Sequence, residues 1–349
     1  MNETAERRST KNVRAFLRDL PKTELHLHLE GSLEPEMLMH LARKNRVDIP
    51  FRSVEEIRAA YRFTELRSFL DIYYQGMNVL CGEEDFYDLT MAYLKRAAAD
   101  GAVHVEVFYD PQGHTARGVP IAAVTDGILA ALADGREQLG ITSLLILCIL
   151  RHLPEDDGFA TFRQAEPWIA DGRIAGLGLD STEKGNPPGK FLRLFAAARE
   201  AGLKLVAHAG EEGPAVYVAD TLDVLGVDRI DHGNRALEDP ALVRRLAERG
   251  ITLTVCPLSN LRLCGVTDMR HHPLKRMLDA GLKVTVNSDD PSYFGGYLLD
   301  NYVAVAEALE LGRHDLVALV RNSIEGSFLE GPVKQAHLGR IERVLETGG

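Results

Sequence analysis

His26 and His28 stand two residues apart in the alternating run Thr23-Glu24-Leu25-His26-Leu27-His28. On a β-strand, positions i and i+2 share one face, so both imidazoles point the same way. Alone, such a pair reads equally well as polar filler with local hydrogen bonds. Three further segments shift the balance: His208-Ala209-Gly210-Glu211, Asp231-His232-Gly233 and Asn287-Ser288-Asp289-Asp290, each following an apolar run of β type. Three neutral imidazoles, His26, His28 and His208, with the carboxylate of Asp289 suit zinc, or iron or cobalt, and leave one position open for water. Glu211, three residues after His208, is then placed for proton transfer, although by itself it reads as a carboxylate opening a helix. The glycine after His232 brings backbone close to a ligand, and an orienting role is the alternative for this histidine. Asp290 cannot easily join Asp289 on the same ion and is free to hydrogen-bond a substrate. A two-metal version of such a site needs a bridging lysine at the end of the fourth strand. That run ends Gly178-Leu179-Asp180, so one Zn2+ per chain is expected, with Lys184 near enough to matter.

These residues need strands to hold them. Eight β-type runs recur: Thr23–His28, Val103–Phe108, Leu144–Leu150, Ile174–Leu179, Leu203–Ala207, Arg229–His232, Ile251–Cys256 and Leu282–Val286. Several are continuously apolar, as strands buried on both faces of a parallel sheet are. Good helix formers lie between them at Lys190–Ala201, Ala215–Leu225, Pro240–Arg249 and Pro273–Ala280, with Gly202, Gly226, Gly250 and Gly281 just past the helix ends,. Eight alternating units predict an α/β fold, a (β/α)8 TIM-type barrel whose chemistry sits at the C-terminal strand ends. The stretch Leu33–Ala99 reads as a helical insertion after the first strand, covering the mouth, with helices at Glu34–Asn45, Glu65–Leu80 and Asp85–Ala98. Extra C-terminal helices are expected at Asn301–Leu311 and Leu316–Ser323. Residues 1–349 read as one domain, with fraying expected at about 1–20 and 346–349. Phe69, Tyr73 and Tyr74 read as helix packing that could also wall a flat ligand.

Composition narrows the function. Hydrophobic residues make up 45% of the 349, enough for a large core,. The net charge of -11 argues against nucleic acid as a partner,. The longest apolar run, Leu144–Leu150, is far short of a membrane span. Four cysteines, none spaced C-x-x-C, and a polar N-terminal stretch point to a reduced, cytoplasmic location without a signal peptide,. His104-Val105-Glu106 lacks the P-C-x-x-C that would complete a cytidine-type deaminase site and reads as structural. Gly189-Lys190 is no P-loop, and neither H-E-x-x-H nor G-x-S-x-G occurs. His40, His152, His271, His272, His314 and His337 read as surface or helix-end residues.

Five segments together are distinctive: Leu25-His26-Leu27-His28-Leu29-Glu30-Gly31-Ser32, His208-Ala209-Gly210-Glu211, Arg229-Ile230-Asp231-His232-Gly233, Cys256-Pro257-Leu258-Ser259-Asn260 and Ser288-Asp289-Asp290-Pro291. From about Leu20 to Tyr302 the chain resembles the adenosine/adenine deaminase family of metal-dependent hydrolases. The resemblance implies zinc ligands at His26, His28, His208 and Asp289. It implies proton delivery by Glu211, water orientation and deprotonation by His232, and contact with ring N7 by Asp290, with Ser181 a further ring contact. Glu30 stands where adenosine deaminases resemble one another in having Asp, which meets the ribose 5′-hydroxyl. With Tyr109–Gly118 and Leu179–Pro188, this places the chain nearer the adenine branch. Glu30 is then expected to fill the ribose space and accept the N9–H of a free base. The resemblance implies hydrolytic deamination of adenine to hypoxanthine in purine salvage, with a small purine base as partner. Adenosine or N6-substituted and other 6-aminopurines are the alternative substrates. A non-catalytic metal-binding barrel and an amidase or phosphoesterase on the same scaffold are the more distant alternatives.

Overall fold

The computed structural model describes residues 13–346. Its centre is one eight-stranded parallel sheet in strictly sequential order. The strands are β1 (Lys22–His28), β2 (Ala102–Tyr109), β3 (Thr142–Leu150), β4 (Ile174–Asp180), β5 (Lys204–Ala209), β6 (Arg229–His232), β7 (Thr252–Val255) and β8 (Lys283–Val286). The ring returns to its start through the bridge Leu27↔Asp289. There the backbone N–H of His28 donates to Asp289 at 3.0 Å and that of Asp289 donates to His26 at 3.1 Å. This is the expected (β/α)8 barrel.

The strands are buried on both faces because helices pack outside while side chains fill the lumen. Phe108, Ile146, Cys148 and Val206 form the small inner cluster, separate from the large core between sheet and helices. Gly178 of β4 is required there: a Cβ would stand 2.5 Å from Cys148 Sγ. The pair His104–Glu106, read as structural, lies buried on β2, where Glu106 also binds Arg229 of β6.

The insertion after β1 is helical as expected, at Pro35–Asn45, Leu66–Met77 and Glu83–Ala99, with an additional short helix, Val54–Ala60, capped by Ser53. Ala215–Asp220 continues as a π-helical turn over Thr221–Leu225. At the C-terminal side the helices are Pro291–Phe294, Leu298–Ala308, Arg313–Gly326 and Gly331–Glu346, the last unforeseen because it opens on Gly331-Pro332 and carries Gly339. The expectation of fraying over the first twenty residues is corrected where it can be seen. Residues 13–19 are helical, and Leu17 and Leu20 are fully buried. Residues 1–12 and 347–349 lie outside the described residues. All four cysteines are free, and among the described residues no helix is long and apolar enough to cross a membrane.

Candidate active site

The C-terminal strand ends bring the predicted metal ligands together. One donor atom each from His26, His28, His208 and Asp289 falls within 4.8 Å of the others, and all four residues are buried. Nε2 of His28 and Nε2 of His208 are 3.1 Å apart. Oδ1 of Asp289 lies 3.2 Å from His26 Nε2 and 3.4 Å from His28 Nε2. His26 Nε2 has no hydrogen-bond partner although fully buried. Lone pairs converging in this way, away from water, fit a cation at their centre.

The opposite ring nitrogens are held by the protein. His208 Nδ1 faces the carbonyl of Leu179 at 3.1 Å. Nδ1 of His26 meets Thr254 Oγ1 at 2.9 Å, and that hydroxyl donates to Asp231 at 2.8 Å. Such outer partners set the tautomer and leave Nε2 free to accept a cation. Burial, then the neighbouring imidazoles, hold His208 well below its ordinary pKa. Lys184 takes no part: it is exposed and pairs with Glu212 at 3.0 Å.

A cavity opens beside this cluster and shares His28, His208 and Asp289 with it. Glu211, His232, Asp289, Asp290 and Ser181 all line it. Glu211 is largely buried, and burial, then Asp289, Glu183 and Glu212, raise its pKa well above the usual carboxyl range. His232 Nε2 lies 3.6 Å from Glu211 Oε2 and 3.9 Å from Asp289 Oδ2. Burial, then His26, push its pKa down to about 3, so it is a neutral base. Asp290 presents an unpartnered Oδ1 and leans on Gly31, where a Cβ would stand 2.0 Å from that oxygen. Ser181 Oγ is shared between Tyr74 at 3.2 Å and His152 at 2.8 Å.

Six described non-glycine residues have a left-handed backbone, and three of them are Ser181, His232 and Asp289. Each costs roughly 1–3 kcal/mol, and such strain clusters at functional sites. The helix Leu66–Met77 forms the lid, with Leu66, Phe69, Leu70, Tyr73 and Tyr74 on the cavity wall. Those aromatics therefore both pack and line.

Glu30 is placed differently from the expectation. It is buried but is not on the cavity wall. Its Oε1 takes His114 Nε2 at 2.9 Å and the Asp110 backbone N–H at 3.1 Å, because the short helical turn Glu30–Ser32 turns the side chain behind the end of β2. His272, read as a surface or helix-end residue, is buried: Nε2 meets Asn260 at 3.0 Å and Nδ1 accepts from Leu274 at the start of a helix. Four residues of the site went unassigned in the sequence: Asp110 and Asp180 on the wall, Glu183 beneath the Glu211 loop, and Asp231 behind the histidines. Asp110, Asp180 and Asp231 each stand at or next to the C-terminal end of a strand, a signal that was available.

Fold and cluster define a (β/α)8 barrel equipped to hold a metal ion at the C-terminal mouth, the arrangement of a metal-dependent hydrolase. Residues 21–344 match the adenosine deaminase family, and the chain belongs to it. It is 64% identical over 328 residues to the adenine deaminase of Sphingopyxis alaskensis, covering 94% of this chain and 96% of that protein. It is 59% identical over 327 residues to the adenine deaminase of Caulobacter vibrioides, covering 94% of each. The crystal structure of the adenine deaminase from Arthrobacter aurescens superposes with a TM-score of 0.92 at 48% identity, over 94% of this chain and 99% of that one. An amidohydrolase from Burkhoderia ambifaria with bound Zn superposes at 0.88 and 29% identity, over 96% and 94%.

Proposed function

We propose that the protein catalyses the hydrolytic deamination of adenine: adenine and water give hypoxanthine and ammonia. The observation that carries this reading is the meeting of Glu211, His232 and Asp290 with the four-residue cluster on one aromatic-lidded cavity. Two relatives that share more than half of the sequence, from Sphingopyxis alaskensis and Caulobacter vibrioides, are adenine deaminases. His26, His28, His208 and Asp289 would hold one zinc ion. When bound, zinc acidifies a water toward a pKa near 7 and so supplies the nucleophile at neutral pH.

The chain's own residues do the rest. Glu211, neutral in its buried setting, holds its proton at ring N1. Protonation there draws electrons from C6 and makes it susceptible to attack. His232, neutral and beside Glu211, takes a proton from the water and orients it. Asp290 binds N7, which fixes the rotation of the ring in its plane. Leu66, Phe69 and Tyr73 close over the flat ligand and exclude bulk water. Ser181 touches the ring edge or, through Tyr74, holds the lid. The partner is a small purine base, and the reaction belongs to purine salvage in the cytoplasm, to which four free cysteines are suited,.

The test is direct. Zinc-loaded protein given adenine should release one ammonia and one hypoxanthine per adenine consumed. No ammonia above the protein-free control would overturn the reading.

A further inference from the structure

Two further carboxyl groups on the cavity wall belong neither to the four-residue cluster nor to proton delivery, although one of them faces the outer nitrogen of His28. Asp110 follows β2 directly, and Asp180 ends β4; both are 2% exposed. Oδ1 of Asp110 and both oxygens of Asp180 lack a hydrogen-bond partner. The second oxygen of Asp110 accepts only a 3.3 Å bond from the Tyr73 hydroxyl. Asp180 Oδ2 stands 3.5 Å from His28 Nδ1, and one oxygen of each aspartate lies within 4.8 Å of the other. Buried acceptors without donors are costly, so a group of this kind that lines a ligand cavity points to a donor that arrives with the ligand.

The barrel order says which part of the ligand that is. In an eight-stranded ring, strands four apart face each other. β4 faces β8, which is followed by Asp290, and β2 faces β6, which ends in His232. On the functional reading above, on which this inference rests, Glu211, His232 and Asp290 take the N1, C6 and N7 edge of the purine. The edge turned toward Asp110 and Asp180 then carries N3 and N9. In a free base N9 bears a hydrogen; in a nucleoside it bears a sugar carbon and offers none. We propose that Asp110 and Asp180 form a specificity pair that accepts the N9–H of an unsubstituted purine and thereby selects free bases over N9-substituted ones. Glu30 serves the pair from behind as a positioning residue, through its bond to the Asp110 amide.

The experiment compares adenine with 9-methyladenine, which loses the N–H but adds only one carbon. It uses the zinc-loaded wild type, Asp110→Asn and Asp180→Asn, with zinc measured in each. The wild type should prefer adenine by about 10³–10⁴-fold in kcat/KM, as sites built to bond a substrate N–H do. Each variant should lose roughly 10–100-fold on adenine, the loss of one charge-assisted bond, while its 9-methyladenine rate stays within a few-fold and its zinc content is unchanged. A wild type that uses both compounds equally well would overturn the inference without any variant. So would variants whose preference matches the wild type's. Two metal ions per wild-type chain, one of them lost in the variants, would make the pair a cation site and overturn it as well. Absence of adenine turnover by the wild type would overturn the functional reading and the inference together; turnover without N9 discrimination overturns the inference alone.

Discussion

Glu183 accepts the backbone N–H of Glu211 at 3.1 Å, and the same carboxylate takes the N–H groups of Gly210, Glu212 and Gly213 at 2.7, 2.9 and 2.7 Å. Four consecutive amides thus close on one buried anion from the β4 loop. The turn that carries Glu211 is held from beneath, and the Glu183 carboxylate adds to the upward shift of the Glu211 pKa.

Glu183→Gln replaces two acceptor oxygens with one and turns an amide N–H2 toward backbone donors. We expect kcat to fall about 10–100-fold with a smaller change in KM. The alkaline limb of the kcat–pH profile should move to lower pH, because removing the charge lets Glu211 ionise sooner. A purely structural loop anchor would leave that limb in place.

Glu211→Gln should keep its zinc and lose about 10²–10⁴-fold in turnover, the usual contribution of a positioned acid. Metal analysis and steady-state rates on the same preparation check both parts. A variant within tenfold of wild type would move the proton delivery elsewhere, Glu212 being the next to examine.

One zinc per chain is expected after metal loading. His208→Ala should lose both the ion and the activity yet remain soluble with an unchanged far-ultraviolet circular dichroism spectrum, because the apolar core does not depend on this ring. Two equivalents in the wild type, or full zinc content in the variant, would contradict the four-ligand site.

Lys22 opens β1 with no exposed surface, and its Nζ donates to the carbonyls of Leu17 and Leu20. Burial, opposed by Asp100, lowers its pKa to about 7. The unfolded chain therefore holds the extra proton between about pH 7 and the ordinary value near 10.4, and stability rises with pH across that window. Urea unfolding should show this rise, on the order of 1.4 kcal/mol per unit at most, in the wild type and not in Lys22→Met. Parallel curves would count against it.

The barrel and the clustering of His26, His28, His208 and Asp289 were legible because both are written in local patterns. H-x-H on an alternating strand shares a face, and the other two residues follow apolar runs. The meeting of Asp110 and Asp180 was not, because it depends on how strands far apart in sequence are placed around the lumen. Asp110 and Asp180 are seventy residues apart and meet only through the register of β2, β3 and β4. Glu30 was misplaced for a related reason: it stands two residues after His28 of the cluster, but the turn after β1 rotates it toward His114. The short helix Val54–Ala60 escaped notice because so brief a segment has little periodicity of its own.

The bridge between Leu27 and Asp289 bears on how the chain is made. His26 and His28 leave the ribosome about 260 residues ahead of the aspartate that completes their set, an interval on the order of ten seconds or more at ordinary synthesis rates,. Until β8 arrives, β1 has one open edge, and two imidazoles wait without their carboxylate. Closing the ring and completing the four-residue cluster are the same backbone event, so the first two histidines gain their carboxylate only once the last strand of the barrel has been made.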